Sequence, residues 1–289
     1  MPIQAIQNIN NAVSGSFGTG QVQVFSTSGS FVIPAGIAKV RVRLWGAGGG
    51  YGTGAGANYG GGGGGGFAMK TIYGFDGITS IPISVGIGGA NSSTTTKVYG
   101  GTSSFGSYVS ATGGSTTGNP SPFFGLGGTG VGGDINYTGG RGGNADTTNQ
   151  GGGGGVASLF GNGGAGGNAS YAGFSGNGGA GGGNGFNAYT SIAPGGAGGF
   201  GNLGGLWYST GTLFFNQVAQ SGLSSSTFSI DLIGTGGGGA ANVSGVNGGG
   251  GGYQATAGFP GGGAGVSPFS TVQAGSTVYG AGGLVIVEY

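Results

Sequence analysis

Five side chains in 289 residues can act as acids: Asp76, Asp134, Asp146, Asp231 and Glu288. There is no histidine and no cysteine. Acid–base hydrolysis needs two carboxylates converging on one cleft, and Asp134 with Asp146 is a pair the spacing offers. No cleft is announced around them. Zinc and copper sites want clustered His or Cys, and neither is expected here. A weak calcium site on Asp134, Asp146 and backbone carbonyls is the least remote metal reading. None of the three lysines follows a glycine, so there is no Walker-type phosphate loop. The reading is a non-enzymatic chain with no metal and no cofactor.

The side chains suited to contact are aromatic. Tyr171 and Phe174 lie in Asn168–Phe174, Phe186 and Tyr189 in Phe186–Thr190, and Trp207 and Tyr208 in Leu206–Gln217. Tyr253 and Phe259 close the series. These stretches mix aromatics with Ser, Gly, Asn and Thr, the composition of binding loops, which combine rigid area with adaptable hydrogen bonding. Leu213, Phe214 and Phe215 fit a small apolar plug as well as a contact surface.

What must position these stretches is glycine. The run Gly195–Leu206 reads in threes as GGA, GGF, GNL, GGL, and the same phase recurs at 138–143, 162–167 and 177–182. Three is the period of the left-handed polyproline-II helix, not of the α-helix or the β-strand. Eight prolines are too few for collagen. A bundle of such helices, polyglycine II, satisfies backbone groups from helix to helix. Neighbours then approach to about 5 Å, the spacing of hydrogen-bonded backbones in a sheet. Any inward Cβ would block that approach, so the third residue should point outward. The alternative is a flexible linker, but serine and charge do not dominate and aromatics punctuate the runs. At least four glycine-rich segments are therefore expected to be extended and bonded to one another.

Composition bounds the rest. Glycine supplies 87 residues, while charged residues are 4% and the net charge is +1. Neither nucleic acid nor an acidic membrane has an electrostatic claim on such a chain, and low charge argues against the usual kind of disorder. No apolar segment reaches membrane-spanning length, and the N-terminus lacks the basic and apolar regions of a signal peptide. Ile3, Ile6, Ile9 and Val13 form a short helical stripe that needs a partner.

Strand character follows at Gln21–Phe25 and Phe31–Ile33. The most legible strand is Lys39–Trp45, with Val40, Val42 and Leu44 inward and Lys39, Arg41 and Arg43 facing water as an edge-protecting surface. Further strands are expected at Phe67–Tyr73, Ile78–Ile87, Phe105–Thr112 and Gly283–Tyr289. The expected fold is all-β: a β-sandwich base with an inserted polyglycine-II bundle and no α-helix beyond a short N-terminal one. Residues 1–20 would attach or oligomerise, 21–112 would form sandwich strands with glycine-rich loops, 113–282 the bundle, and 283–289 a closing strand.

The stretch FVIPAGIAKVRVRLWGAGGG at 31–50, the glycine runs and the ending GGLVIVEY resemble the glycine-rich domains of bacteriophage tail fibre and tail tip proteins. The resemblance runs from about Phe31 to Tyr289. The triplet runs alternating with aromatic segments look like the receptor-binding adhesins at the tips of T-even-type phage fibres. That resemblance implies a virion protein whose distal loops recognise a host cell-surface receptor, either a glycan or an outer-membrane protein. It also implies a homotrimer and attachment to other tail or fibre proteins through the N-terminus. A structural or ice-binding protein and a tailspike-like depolymerase are the alternatives. The first wants regular small outward residues, where this chain has Phe200, Leu203 and Leu206. The second wants a carboxylate cleft.

Overall fold

The computed structural model describes residues 20–50, 60–90, 98–116, 124–144, 152–166, 260–263 and 280–289. The N-terminal stripe and the runs 177–182 and 195–206 lie outside the described residues. Within them the regular structure is all strand, with no helix. The strands are β1 (Val22–Phe25), β2 (Gly29–Val32), β3 (Lys39–Trp45), β4 (Phe67–Tyr73), β5 (Ser80–Ser84), β6 (Ser103–Phe105), β7 (Val109–Ala111), β8 (Gly130–Val131), β9 (Ile135–Tyr137) and β10 (Leu284–Glu288).

They form two five-stranded sheets, ordered β1-β10-β3-β4-β9 and β2-β5-β6-β7-β8. Every pairing is antiparallel. The sheets share a core in which Val40, Val42, Leu44, Val285 and Val287 meet Phe31, Ile81, Ile83, Phe105 and Val109. This is a sandwich-like arrangement, built by the period-two alternation of β3 and β5. β10 departs from that alternation because both its faces are covered. Val285 and Val287 face the shared core, while Leu284 and Ile286 pack with Trp45, Phe67, Val156 and Ala157. A strand buried on both sides reads as a continuous apolar run, as Leu284–Val287 does.

Two expectations are corrected. β3 is not an edge strand, since it lies between β10 and β4. Of its bases Lys39 is exposed, but Arg43 is 3% exposed and sets its Nε 2.8 Å from Glu288 Oε1. Arg41 also pairs with Glu288, its Nε donating to Oε2 at 3.0 Å. The partner lies on the far end of the chain, which is why periodicity alone left these bases in water. The expected strand Phe105–Thr112 is instead the hairpin β6–β7, which turns at Gly106 with φ 51°. β8 and β9, which carry the chain from one sheet to the other, fall inside the stretch read as bundle. Asn136 ties the turn between them, accepting from Gly133 N at 3.0 Å and donating to Gly133 O at 2.7 Å.

Candidate functional site

Sandwich strands run on directly into glycine. β3 continues as Gly46–Gly50, β4 is entered from Gly60–Gly66, and β10 from Gly280–Gly283. In a strand, successive residues bond alternately to two neighbours. Here bonds leave in more directions and repeat every third residue. Gly46 donates to Gly66 at 2.9 Å and Gly49 to Gly63 at 2.8 Å, while between them Ala47 donates to Gly101 and Gly48 to Ala281.

Residues 46–50 and 60–66 read from sequence as loops of the sandwich. They are the centre of the glycine lattice. Gly61 and Gly64 donate to Gly143 and Gly140, Gly63 and Gly66 to Ser115 and Thr112, and Gly65 to Gly261. The same run accepts from Gly46 and Gly49, from Gly125 and Gly128, and from Gly154 and Ala157. Six segments therefore surround it, and every residue from 60 to 66 is buried. A Cβ added at Gly61, Gly63, Gly64 or Gly65 would stand 2.0 Å from the carbonyl oxygen of Gly152, Leu126, Gly155 or Gly46. No side chain fits at any phase of a segment enclosed on all sides, so the run is unbroken glycine.

At the periphery one phase opens. Thr138 and Arg141 are exposed and Asn144 is half-buried, while Gly139, Gly140, Gly142 and Gly143 are buried. The Arg141 guanidinium carbon lies 4.7 Å from the centroid of the Phe124 ring. Neighbouring segments expose Ile87, Tyr99 and Leu126. Sequence reasoning did not single out Tyr99 or Leu126 and took Ile87 as the end of a strand; the signal at Ile87 and Leu126 is a lone side chain inside Gly-x-Gly-Gly, as in Gly86–Gly89 and Gly125–Gly128. Hydroxyls complete the lattice where glycine stops: Ser115 Oγ accepts from Leu126 N at 2.8 Å and Thr116 Oγ1 from Val98 N at 2.9 Å.

Chain direction gives the bundle two ends. Segments 46–50, 86–90, 112–116 and 138–144 leave strands, and 60–66, 98–102, 124–129 and 280–283 return to strands. Gly261 pairs with Gly282 and Gly262 with Ala281, so residues 260–263 run outward again. The described ends at 50 and 60, 90 and 98, 116 and 124, 144 and 152, and 263 and 280 thus gather at the end remote from the sandwich. Gly166 also lies toward that end, bonding to Arg141 at 2.8 Å, whereas Pro260 precedes Gly261 beside Gly46 and Gly65 at the sandwich end.

All the aromatics singled out in the sequence, Tyr171, Phe174, Phe186, Tyr189, Trp207, Tyr208, Tyr253 and Phe259, lie outside the described residues, as do Asp146 and Asp231. Asp134 is described, and its Oδ2 accepts from Thr71 N at 2.8 Å. Among the described residues no three His, Cys, Asp or Glu side chains cluster as metal ligands, and no helix is long and apolar enough to cross a membrane. Compared with known protein families and with curated proteins, the chain matches none.

Proposed function

We propose that this chain is a receptor-binding adhesin of a bacteriophage tail fibre or tail tip. In this reading the glycine segments are polyglycine-II helices and the connections at their far end touch the host surface. The observation that carries it is the gathering of five pairs of segment ends at one end of a backbone lattice, opposite the sandwich. Such a lattice has almost no freedom to change its side chains, while the connections beyond its end can vary without disturbing it. The three-residue repeat of hydrogen-bond partners supports the polyglycine-II assignment, since that helix has three residues per turn. The resemblance of 31–50 and 282–289 to phage tail proteins supports the placement on a virion. The ligand is a glycan or a protein loop of the host envelope, held by aromatic anchors at Tyr171, Tyr189, Trp207 and Tyr208.

Replacing Trp207 and Tyr208 together by alanine tests the reading. Adsorption to host cells is lost and the melting temperature stays where it was. A collapse of folding would move both residues into the core. Undiminished adsorption would remove them from the site.

A further inference from the structure

The two sides of the sandwich are finished differently. On one side β9 has three residues and β8 two. Charged groups use up the neighbouring backbone there, with Lys70 Nζ donating to Gly132 O at 2.6 Å and Asp134 accepting from Thr71 N at 2.8 Å. Short strands and charge are the usual means of blunting an edge. On the other side β1, with four residues, is not blunted by charge. Residues 1–38 contain no charged side chain, and β1 contains no proline.

The direction of its free bonds is set. Gln21 and Tyr289 exchange both backbone bonds, at 3.1 and 3.0 Å, and the register places Val22 opposite Glu288 and Val24 opposite Ile286. By antiparallel alternation, Gln23 and Phe25 also bond toward β10, and the N–H and C=O groups of Val22 and Val24 point to the open edge. Among the described residues no strand pairs there, and Val24 is 54% exposed.

We infer that β1 is a docking edge for β1 of a second copy of this chain. The sequence Val22-Gln23-Val24 is a palindrome, so a two-fold axis at Gln23 sets Val22 against Val24 of the other copy on both sides of the axis. Matched β-branched pairs stabilise such a ladder, and an isologous contact asks for this self-complementarity. The other open edge, Gly29-Ser30-Phe31-Val32 in β2, has no such symmetry. Without charge in this stretch, self-pairing meets no repulsion. The pair is two-fold, whereas the phage resemblance implies a homotrimer. It stands independently of the adhesin reading.

Light scattering on the full chain, unmodified and as Val24→Pro, is the test. The unmodified chain has twice the monomer mass. Val24→Pro has the monomer mass with its melting temperature retained, because the lost N–H is the outward one and leaves the bonds to β10 intact. Gln23→Cys then reports the register in a chain with no other thiol. Opposed residues of a non-hydrogen-bonded pair stand about 4.5 Å apart at Cα, within disulfide reach. Oxidised Gln23→Cys runs as a covalent dimer. Thr27→Cys does not, since Thr27 lies beyond the end of β1 and away from the axis at Gln23. A monomer or trimer for the unmodified chain, a dimer undisturbed by Val24→Pro, or equal crosslinking at 23 and 27 would each overturn the inference.

Discussion

Arg43 Nε and Glu288 Oε1 meet at 2.8 Å, joining the first long strand of the sheet to the last strand of the chain. Both side chains are buried, with relative exposures of 4% and 6%. Arg41 completes the group from the more exposed side. Removing one member of a buried pair leaves the other charge without compensation. Glu288→Gln should therefore destabilise the fold by about 3 kcal/mol, read as a lower urea midpoint with an unchanged slope. Arg41→Gln, at the wetter position, should have a smaller effect in the same assay.

The glycine lattice predicts a sharp contrast between its centre and its rim. Gly64→Ala sets a Cβ 2.0 Å from the carbonyl oxygen of Gly155, with backbone on the other sides. The cost should exceed about 4 kcal/mol, beyond the range of ordinary substitutions. Arg141→Ala, on the open phase, loses the contact with Phe124 among the described residues and should cost about 1 kcal/mol or less. Thermal melts of the two variants check the difference. Hydrogen exchange checks the same point without mutation: the amides of Gly61, Gly63 and Gly64 should exchange only through global opening.

The two ends of the glycine lattice lie next in sequence to different candidate aromatics. Gly166, toward the far end, precedes Tyr171 by five positions; Pro260, at the sandwich end, directly follows Phe259. Tyr171→Ala should reduce adsorption and leave the melting temperature in place. Phe259→Ala should do the reverse. If Phe259→Ala abolishes adsorption in a protein that melts normally, recognition reaches down to the sandwich.

Much of the sandwich was legible because a strand's alternation is local. Val40, Val42 and Leu44 announced their shared face, and Gly283–Tyr289 announced a closing strand. The strands β8 and β9 were not, since Gly130–Val131 and Ile135–Tyr137 are too short to alternate visibly inside a glycine-rich stretch. The triplet phase at 138–143 did predict which residues face out, as Thr138 and Arg141 show. It misplaced the centre, however, because a segment surrounded on every side loses its third-position side chain and with it the period. Gly60–Gly66 therefore reads as a glycine-rich loop of the sandwich while being buried among six bonded segments. The aromatic candidates drew on composition alone, which names residue types suited to contact and carries no information on where they stand.

The place of β10 in its sheet sets a schedule for folding during synthesis. β3 can pair with β4 early, but β10 is the strand that joins β1 to β3, so among the described strands β1 has no partner in that sheet before Leu284–Glu288 leaves the ribosome. Gly60–Gly66 waits as well, since of its six partner segments all but 46–50 are translated after it. The bond from Gln23 Nε2 to Tyr289 Oη closes 266 positions, and contacts of such range make folding slow. Until then β1 stays without its strand partner and the segments that bond to Gly280–Gly283 stay solvated. A chain lacking Leu284–Glu288 would be without the strand that joins β1 to the rest of its sheet.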